Sequence, residues 1–204
     1  MMTSDQIIDD VIRRETGGVP WALAKAQLHA ADKGSWTRGG ITVASWGDYA
    51  NLGRHATPEE LNQISEPQMR AFYKARHIDV FGFAPDPLRL LLADWSATSW
   101  IDDPTEALQR ALLKRGFYKK PDGRDGRIDG DPGPLTRAAM TEAAEINGGM
   151  LLPLIYRDVF IDRVLFYVDL GRGDTDTRTF LRTHPKAQLH NLKGWCVRAL
   201  EFTP

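Results

Sequence analysis

Residues 4–18, SDQIIDDVIRRETGG, decide how the chain begins to fold. Their large apolar side chains recur at helical spacing, and Thr3 with Gln6 forms the capping-box pattern that starts a helix. Two consecutive glycines end the periodic stretch, as glycine does after many helices. The segment therefore predicts a helix over residues 4–15 with one apolar face.

Glu15 is the last residue of this predicted helix. It lies four residues after Val11 and three after Ile12, so it continues the apolar stripe. A carboxyl group at the rim of an apolar core tends to have a raised pKa, which a general acid near neutral pH needs. The position also fits a glutamate that points to solvent beside Arg13 or Arg14. The segment alone leaves both interpretations open.

Helical periodicity continues through most of the chain. Capping patterns begin at Thr3, Thr57, Ser65 and Asp103. The predicted helices cover residues 4–15, 21–31, 58–63, 66–77, 87–98, 104–115, 134–146, 151–169 and 187–200. Strand-like alternation is confined to a short β element near 41–44. The chain is therefore predicted to have an all-α, or α-dominated, fold.

One stretch interrupts the helical pattern. Residues 116–134, GFYKKPDGRDGRIDGDPGP, are dense in Gly, Pro and Asp and predict a loop between an N-terminal and a helical C-terminal part. Four aspartates in it suggest calcium, but their spacing is not that of an EF-hand loop. We favour a turn rich in Asp and Gly for backbone reasons.

Composition narrows the class of protein. With 42% hydrophobic residues, 26% charged residues and a net charge of -1, the chain has no basic excess of the kind that nucleic-acid binders carry. Its single cysteine, Cys196, allows no intrachain disulfide. No signal-peptide pattern is visible at the N-terminus, and the longest apolar run, near residues 150–155, is too short to span a bilayer. We expect synthesis in the cytoplasm and no stable membrane insertion.

Residue patterns for metal or cofactor binding are missing. The five histidines are scattered, without zinc-ligand spacing. There is no P-loop, dinucleotide fingerprint or G-x-S-x-G motif. We therefore expect no cofactor and no metal, and carboxylates remain as the candidate catalytic groups.

A second stretch, residues 32–42, DKGSWTRGGIT, combines groups that glycoside cleavage needs. Asp32 is a second carboxylate, Thr37 and Thr42 carry hydroxyls, and Trp36 offers a flat apolar face to a sugar ring. Cleavage requires a protonated acid at the leaving oxygen and a carboxylate or a positioned water at the anomeric carbon. The glycines equally fit a structural turn, so this stretch alone also allows two interpretations.

Together these stretches resemble the glycoside hydrolase family 108 N-acetylmuramidases, lysozyme-like enzymes of the endolysin and secretion-activator type. That family has a Glu-Gly-Gly-Tyr motif followed by Asp-Pro-Gly-Gly-x-Thr-x-x-Gly-Ile-Thr, and residues 32–42 match the second motif without gaps. The resemblance continues at Asp94, at 107–112 and 129–136, and at the Gly-Trp-x-x-Arg element in 193–198. It covers nearly the whole chain.

The resemblance implies a peptidoglycan hydrolase that cleaves the β-1,4 bond between N-acetylmuramic acid and N-acetylglucosamine. Glu15 matches the family's catalytic acid, and Asp32 is our candidate for the second catalytic group. The residues expected to bind substrate are Trp36, Thr37, Gly40, Thr42 and Asp94.

The resemblance also implies an organisation and a place of action. Residues 1–100 would form the muramidase part, and 101–204 a helical peptidoglycan-binding-like part packed with it as one unit. The partner would be bacterial peptidoglycan, reached in the periplasm after release by a holin-type protein. We expect a monomer.

The chain departs from the family pattern at several positions. Thr16 follows Glu15, Val19 stands where the family has tyrosine, and additional residues around 20–27 precede Asp32. Thr98 replaces the family's asparagine. Two alternatives therefore accompany the hydrolase: a lytic transglycosylase acting on the same bond, and a catalytically silent cell-wall-binding module.

Overall fold

The computed structural model describes residues 2–28, 35–172 and 202. The chain divides into two compact units, Met1–Asp79 and Val80–Pro204, which we describe separately. About 60% of the residues are helical, and the described ranges contain one small sheet of three strands, so the predicted α-dominated fold with a short β element is confirmed. The division into functional parts at residue 100 stays a prediction.

The first unit combines short helices with the sheet. Its α-helices are α1 (Ser4–Glu15), α2 (Val43–Tyr49), α3 (Pro58–Gln63) and α4 (Glu66–Tyr73), which continues into a π-helical segment (Lys74–Ile78). Its strands are β1 (Gln27–Leu28), β2 (Trp36–Arg38) and β3 (Ile41–Thr42), antiparallel in the order β1-β2-β3. The apolar face of α1 is buried, as predicted.

Reciprocal side-chain caps start the helices of this unit. The predicted capping boxes at Thr3, Thr57 and Ser65 are all present. A further box joins Thr42 to Ser45 and begins α2, which the sequence pattern did not predict. The strand expected near 41–44 therefore ends at Thr42, because the backbone turns there into a helix.

The second unit is helical. Its helices are α5 (Leu88–Thr98), α6 (Asp102–Lys114), α7 (Pro134–Glu145) and α8 (Leu152–Arg172). One 3₁₀ turn, Asp79–Phe81, precedes α5, and another, Ile146–Gly149, lies between α7 and α8. All four helices were predicted to within a few residues. The cap expected at Asp103 was wrong, because α6 begins at Asp102, two residues before the predicted start, and Ile101 precedes it without a side-chain cap. The predicted helix 187–200 and Cys196 lie outside the described residues.

Apolar packing joins the helices of the second unit around one core. Leu92, Trp95, Leu108, Met140 and Val159 are among its buried members. In the ranges 2–28 and 35–172, no helix has both the length and the apolar character that crossing a bilayer requires.

A buried arginine organises the first unit. Arg38 is 4% exposed, and its guanidinium stacks on the Trp21 ring at 4.0 Å. Burial lowers the pKa of Arg38. Its guanidinium is surrounded by main-chain carbonyl oxygens, whose partial negative charges face its positive charge. It donates at 2.8–3.1 Å to the carbonyls of Trp21, Ala24, Leu61, Asn62 and Ile64. The side chain thus joins β2 to the end of α3 and to the segment after α1.

These contacts explain why the predicted helix 21–31 was wrong over residues 21–28, while residues 29–31 lie outside the described residues. Residues 21–23 form a turn, and Gln27–Leu28 pair with β2 as strand β1. The carbonyls of Trp21 and Ala24 accept hydrogen bonds from Arg38, a partner distant in sequence. Tertiary hydrogen bonding therefore overrides the local helical pattern.

We expect Arg38→Lys to lower the free energy of unfolding by about 2–4 kcal/mol, because one ammonium group cannot serve five carbonyls from two separate segments. Urea unfolding of the full chain measures the loss. Arg54→Lys is the matched control, since Arg54 forms an exposed ion pair with Glu60 and its replacement should change little. Equal effects of the two substitutions would contradict the central role of Arg38.

Candidate active site

Glu15 ends α1 at the point where the backbone reverses. The Thr16 amide still donates to the Ile12 carbonyl at 2.9 Å, and the Gly18 amide donates back to Arg13 at 2.7 Å. Gly17 and Gly18 have φ values of 61° and 80°, which glycine adopts without strain. The chain therefore leaves the helix directly after Glu15, whose side chain is half-buried.

The turn between β2 and β3 packs against this end of α1. It consists of Gly39 and Gly40, both with positive φ, as the tight turn of a two-residue hairpin requires. A Cβ added to Gly40 would lie 2.3 Å from the Glu15 Oε2 atom, and one added to Gly39 would lie 2.9 Å from the Trp21 ring. The absence of side chains on this turn allows the Glu15 carboxyl group to lie against its backbone.

Tyr73 completes the surroundings of Glu15. Its ring is buried, and its hydroxyl donates a hydrogen bond to the Gly39 carbonyl oxygen. The hydroxyl oxygen would lie 2.8 Å from the same added Cβ on Gly40 that approaches Glu15. The Glu15 carboxyl and the Tyr73 hydroxyl therefore face one point beside the turn.

His77 packs behind Tyr73 in the π-helical segment. The two ring centroids are 5.6 Å apart. Burial, with a smaller contribution from the nearby positive charge of Arg76, lowers the pKa of His77 to about 4. The imidazole is accordingly neutral at neutral pH and packs as an aromatic ring. π-Helical turns of this kind are common at functional sites.

Three of the predicted substrate-binding residues lie on the small sheet. Thr37 occupies its middle strand, opposite Gln27 and Thr42. The Thr42 hydroxyl accepts from the Ser45 amide at 3.0 Å, so this side chain caps α2. Trp36, the first residue of β2, is 36% exposed. Asp32 lies outside the described residues.

Asp94 belongs to the second unit, where it is fully buried. Its carboxylate accepts a hydrogen bond of 2.6 Å from Arg163, which is also fully buried. The Arg163 guanidinium lies 4.8 Å from the centroid of the Phe202 ring. The ion pair gives Asp94 a role within the core, and its part in substrate binding stays a prediction.

The motif residues of the second unit meet around Gln109. Its amide group donates to the Asp129 carboxylate at 2.8 Å and to the Thr136 hydroxyl at 3.1 Å, and its oxygen accepts from the amides of Asp129 and Gly130. These bonds connect α6 to the Asp-rich loop and to the start of α7. The loop also lines an open pocket of about 330 Å³ that includes Lys120.

Partners of the loop aspartates agree with a turn that is built for backbone reasons. Asp122 accepts from the Arg124 amide and Asp129 from the Asp131 amide, both at 3.1 Å, and Asp125 binds the Lys119 side chain. The pKa of Asp122 is lowered mainly by Arg124, and that of Asp129 mainly by Gln109. Their carboxylates thus have protein partners.

Sequence patterns missed two residues of the site. Arg38 stands next to the glycine turn, but the neighbouring sequence does not indicate that its side chain is buried among main-chain carbonyls. Tyr73 lies at the end of a correctly predicted helix, where its apolar position indicates only burial. Their roles depend on residues far away in the chain, so a local signal for them does not exist.

Comparison with known proteins supports the fold. The chain is similar to the solved structure of Brucella abortus SagA, with a TM-score of 0.63 and 19% sequence identity over 98% of this chain and 94% of that chain. No protein-family model and no curated protein sequence matches it. At this identity the likeness shows a shared fold alone, and membership of glycoside hydrolase family 108 stays a prediction.

We expect Gly40→Ala to destabilise the protein more than Gly53→Ala by at least about 2 kcal/mol. Both glycines have positive φ, so both substitutions share the backbone strain. Only at Gly40 does the new Cβ meet the Glu15 carboxyl and the Tyr73 hydroxyl, whereas Gly53 faces open space. Urea unfolding of both variants makes the comparison, and equal losses would contradict the close approach at Gly40.

Asp94→Asn is expected to cost about 3–5 kcal/mol of stability, because it leaves the buried charge of Arg163 without its counter-ion. Hydrogen–deuterium exchange of α5 and α8 locates the loss. Asp162→Asn is the control. Asp162 lies on the same helix as Arg163, and its ion pair with Arg110 is more exposed. A stable Asp94→Asn variant with weakened ligand binding would instead assign Asp94 to substrate binding.

Proposed function

We propose that this protein is a lysozyme-type glycoside hydrolase that cleaves the β-1,4 bond between N-acetylmuramic acid and N-acetylglucosamine in peptidoglycan. The observation that carries the proposal is the position of Glu15. Its half-buried carboxyl group lies at the end of α1 against the bare Gly39–Gly40 turn and beside the Tyr73 hydroxyl. A carboxyl group at the rim of an apolar core tends to stay protonated, and a general acid must be protonated before it can donate.

In the proposed reaction Glu15 protonates the glycosidic oxygen as the bond to it breaks. Positive charge then develops on the anomeric carbon and ring oxygen of the muramic acid residue, in an oxocarbenium-like transition state. Asp32 is the proposed second group, which stabilises this charge or orients the attacking water. Water supplies the hydroxyl of the new reducing end and returns a proton to Glu15.

Substrate contacts are proposed for the sheet that carries the glycine turn. Trp36 presents an exposed ring face suited to stacking on a pyranose, next to its cross-strand neighbour Leu28, which is also exposed. The Gly40 backbone and the hydroxyls of Thr37 and Thr42 would add polar contacts. In the second unit, we propose the loop held by Gln109 as the part that attaches to the cell wall.

Glu15→Gln tests the assignment, because the amide keeps the shape of the side chain but cannot donate an acidic proton. We expect the release of new reducing ends from purified peptidoglycan to fall at least about 100-fold, with an unchanged circular dichroism spectrum. Glu59→Gln is the matched control, since Glu59 is exposed at the start of α3.

The products separate the competing functions. Mass spectrometry of wild-type digests should show reducing muropeptides, whereas a lytic transglycosylase would give anhydro products that are lighter by one water. Full activity of Glu15→Gln would remove Glu15 from the mechanism. Binding to the cell wall without any cleavage by the wild type would favour the silent binding module.

A further inference from the structure

The Tyr73 hydroxyl has one hydrogen, and the geometry shows where that hydrogen points. The Gly39 carbonyl oxygen can only accept, so the bond between these two groups must use the Tyr73 hydrogen. The oxygen of Tyr73 retains lone pairs. Toward any other neighbour, Tyr73 therefore acts as an acceptor.

The Glu15 carboxyl and the Tyr73 hydroxyl both lie where a side chain on Gly40 would stand. Its Oε2 atom and the Tyr73 oxygen would lie 2.3 Å and 2.8 Å from one added Cβ on Gly40. A protonated carboxyl can donate its hydrogen to the Tyr73 oxygen, whereas an ionised carboxylate presents only lone pairs to it. The arrangement thus favours the neutral form of Glu15 over the charged form.

We propose that Tyr73 is a positioning residue that keeps Glu15 protonated, by accepting the hydrogen of its carboxyl group while Gly39 holds the tyrosine hydroxyl in place. For catalysis this inference rests on the proposed function, since only a general acid needs that proton. The structural part stands without it. His77, packed against the Tyr73 ring, helps to fix the orientation of the phenol.

Replacement of Tyr73 by phenylalanine leaves the charged residues on the elements around Glu15 unchanged. The surrounding elements carry Asp9, Asp10, Arg13 and Arg14 on α1, Arg38 on β2, Arg70 on α4, and Lys74, Arg76, His77 and Asp79 on or next to the π-helical segment. Arg14 binds Asp10 at 3.0 Å and Lys74 binds Asp79 at 2.6 Å. Because burial lowers the pKa of His77 to about 4, this ring is neutral near neutral pH.

Tyr73→Phe removes the hydroxyl and keeps the ring. We expect Glu15 to lose its proton at a pH about one unit lower in this variant, the size expected for one hydrogen bond. The midpoint is read from the ¹³C signal of the side-chain carboxyl, assigned by its absence in Glu15→Gln. Tyr49→Phe is the control, because Tyr49 belongs to the same aromatic cluster through Phe72.

Catalysis gives a second readout. The alkaline limb of kcat/KM on peptidoglycan should move to lower pH by the same amount in Tyr73→Phe and stay in place in Tyr49→Phe. A merely structural role of Tyr73 would lower the rate equally at every pH. An unchanged midpoint and an unchanged limb, or a shift to higher pH, would overturn the proposal.

Two further measurements distinguish a failure of the hydrolase mechanism from a failure of the proposed role of Tyr73. If Glu15→Gln retains full activity, the hydrolase mechanism fails, while the carboxyl titration still decides the role of Tyr73. If Tyr73→Phe does not fold, 3-fluorotyrosine at position 73 retains the hydroxyl bond to Gly39 and weakens the oxygen as an acceptor. It should shift the Glu15 midpoint in the same direction by a smaller amount, and no shift would reject the proposal.

Discussion

Arg38 supplies the interaction on which the first unit depends. A guanidinium buried without a carboxylate is costly unless its nitrogens find acceptors. Here each of its three nitrogens donates to main-chain carbonyls from the segment after α1 or from the end of α3. Those at the end of α3 carry the negative end of the helix dipole. Because Arg38 directly precedes the glycine turn, the same side chain that ties three segments together also sets where that turn lies.

The glycine turn serves two purposes at one place. Its positive φ values close the hairpin, and the missing side chain at Gly40 lets the Glu15 carboxyl and the Tyr73 hydroxyl both approach the turn at one point. A larger residue at Gly40 would affect both. The position of a carboxyl group at the rim of the core is thus a consequence of backbone geometry as much as of the glutamate itself.

The second unit arranges its buried polar groups in two different ways. Asp94 and Arg163 form an ion pair inside the core, where the loss of either partner leaves a buried charge. Gln109 instead uses a neutral amide as both donor and acceptor, and it fastens the Asp-rich loop to α6 and α7. Residues that resemble a family motif therefore have architectural roles in this chain.

Local signals were enough to predict most helices. The bounds of α1 and α3 follow from capping boxes, apolar period and terminal residues, all of which act within a few positions of the chain. The sequence also singled out Glu15 and the glycine turn, because a carboxylate at the end of an apolar stripe and paired glycines are readable locally. Only the tertiary structure decided that residues 21–23 form a turn, that Asp94 is buried, and that Tyr73 and Glu15 lie beside the same glycine. In each case the deciding partner is distant in sequence, and a hydrogen bond or ion pair between distant residues leaves no trace in local periodicity.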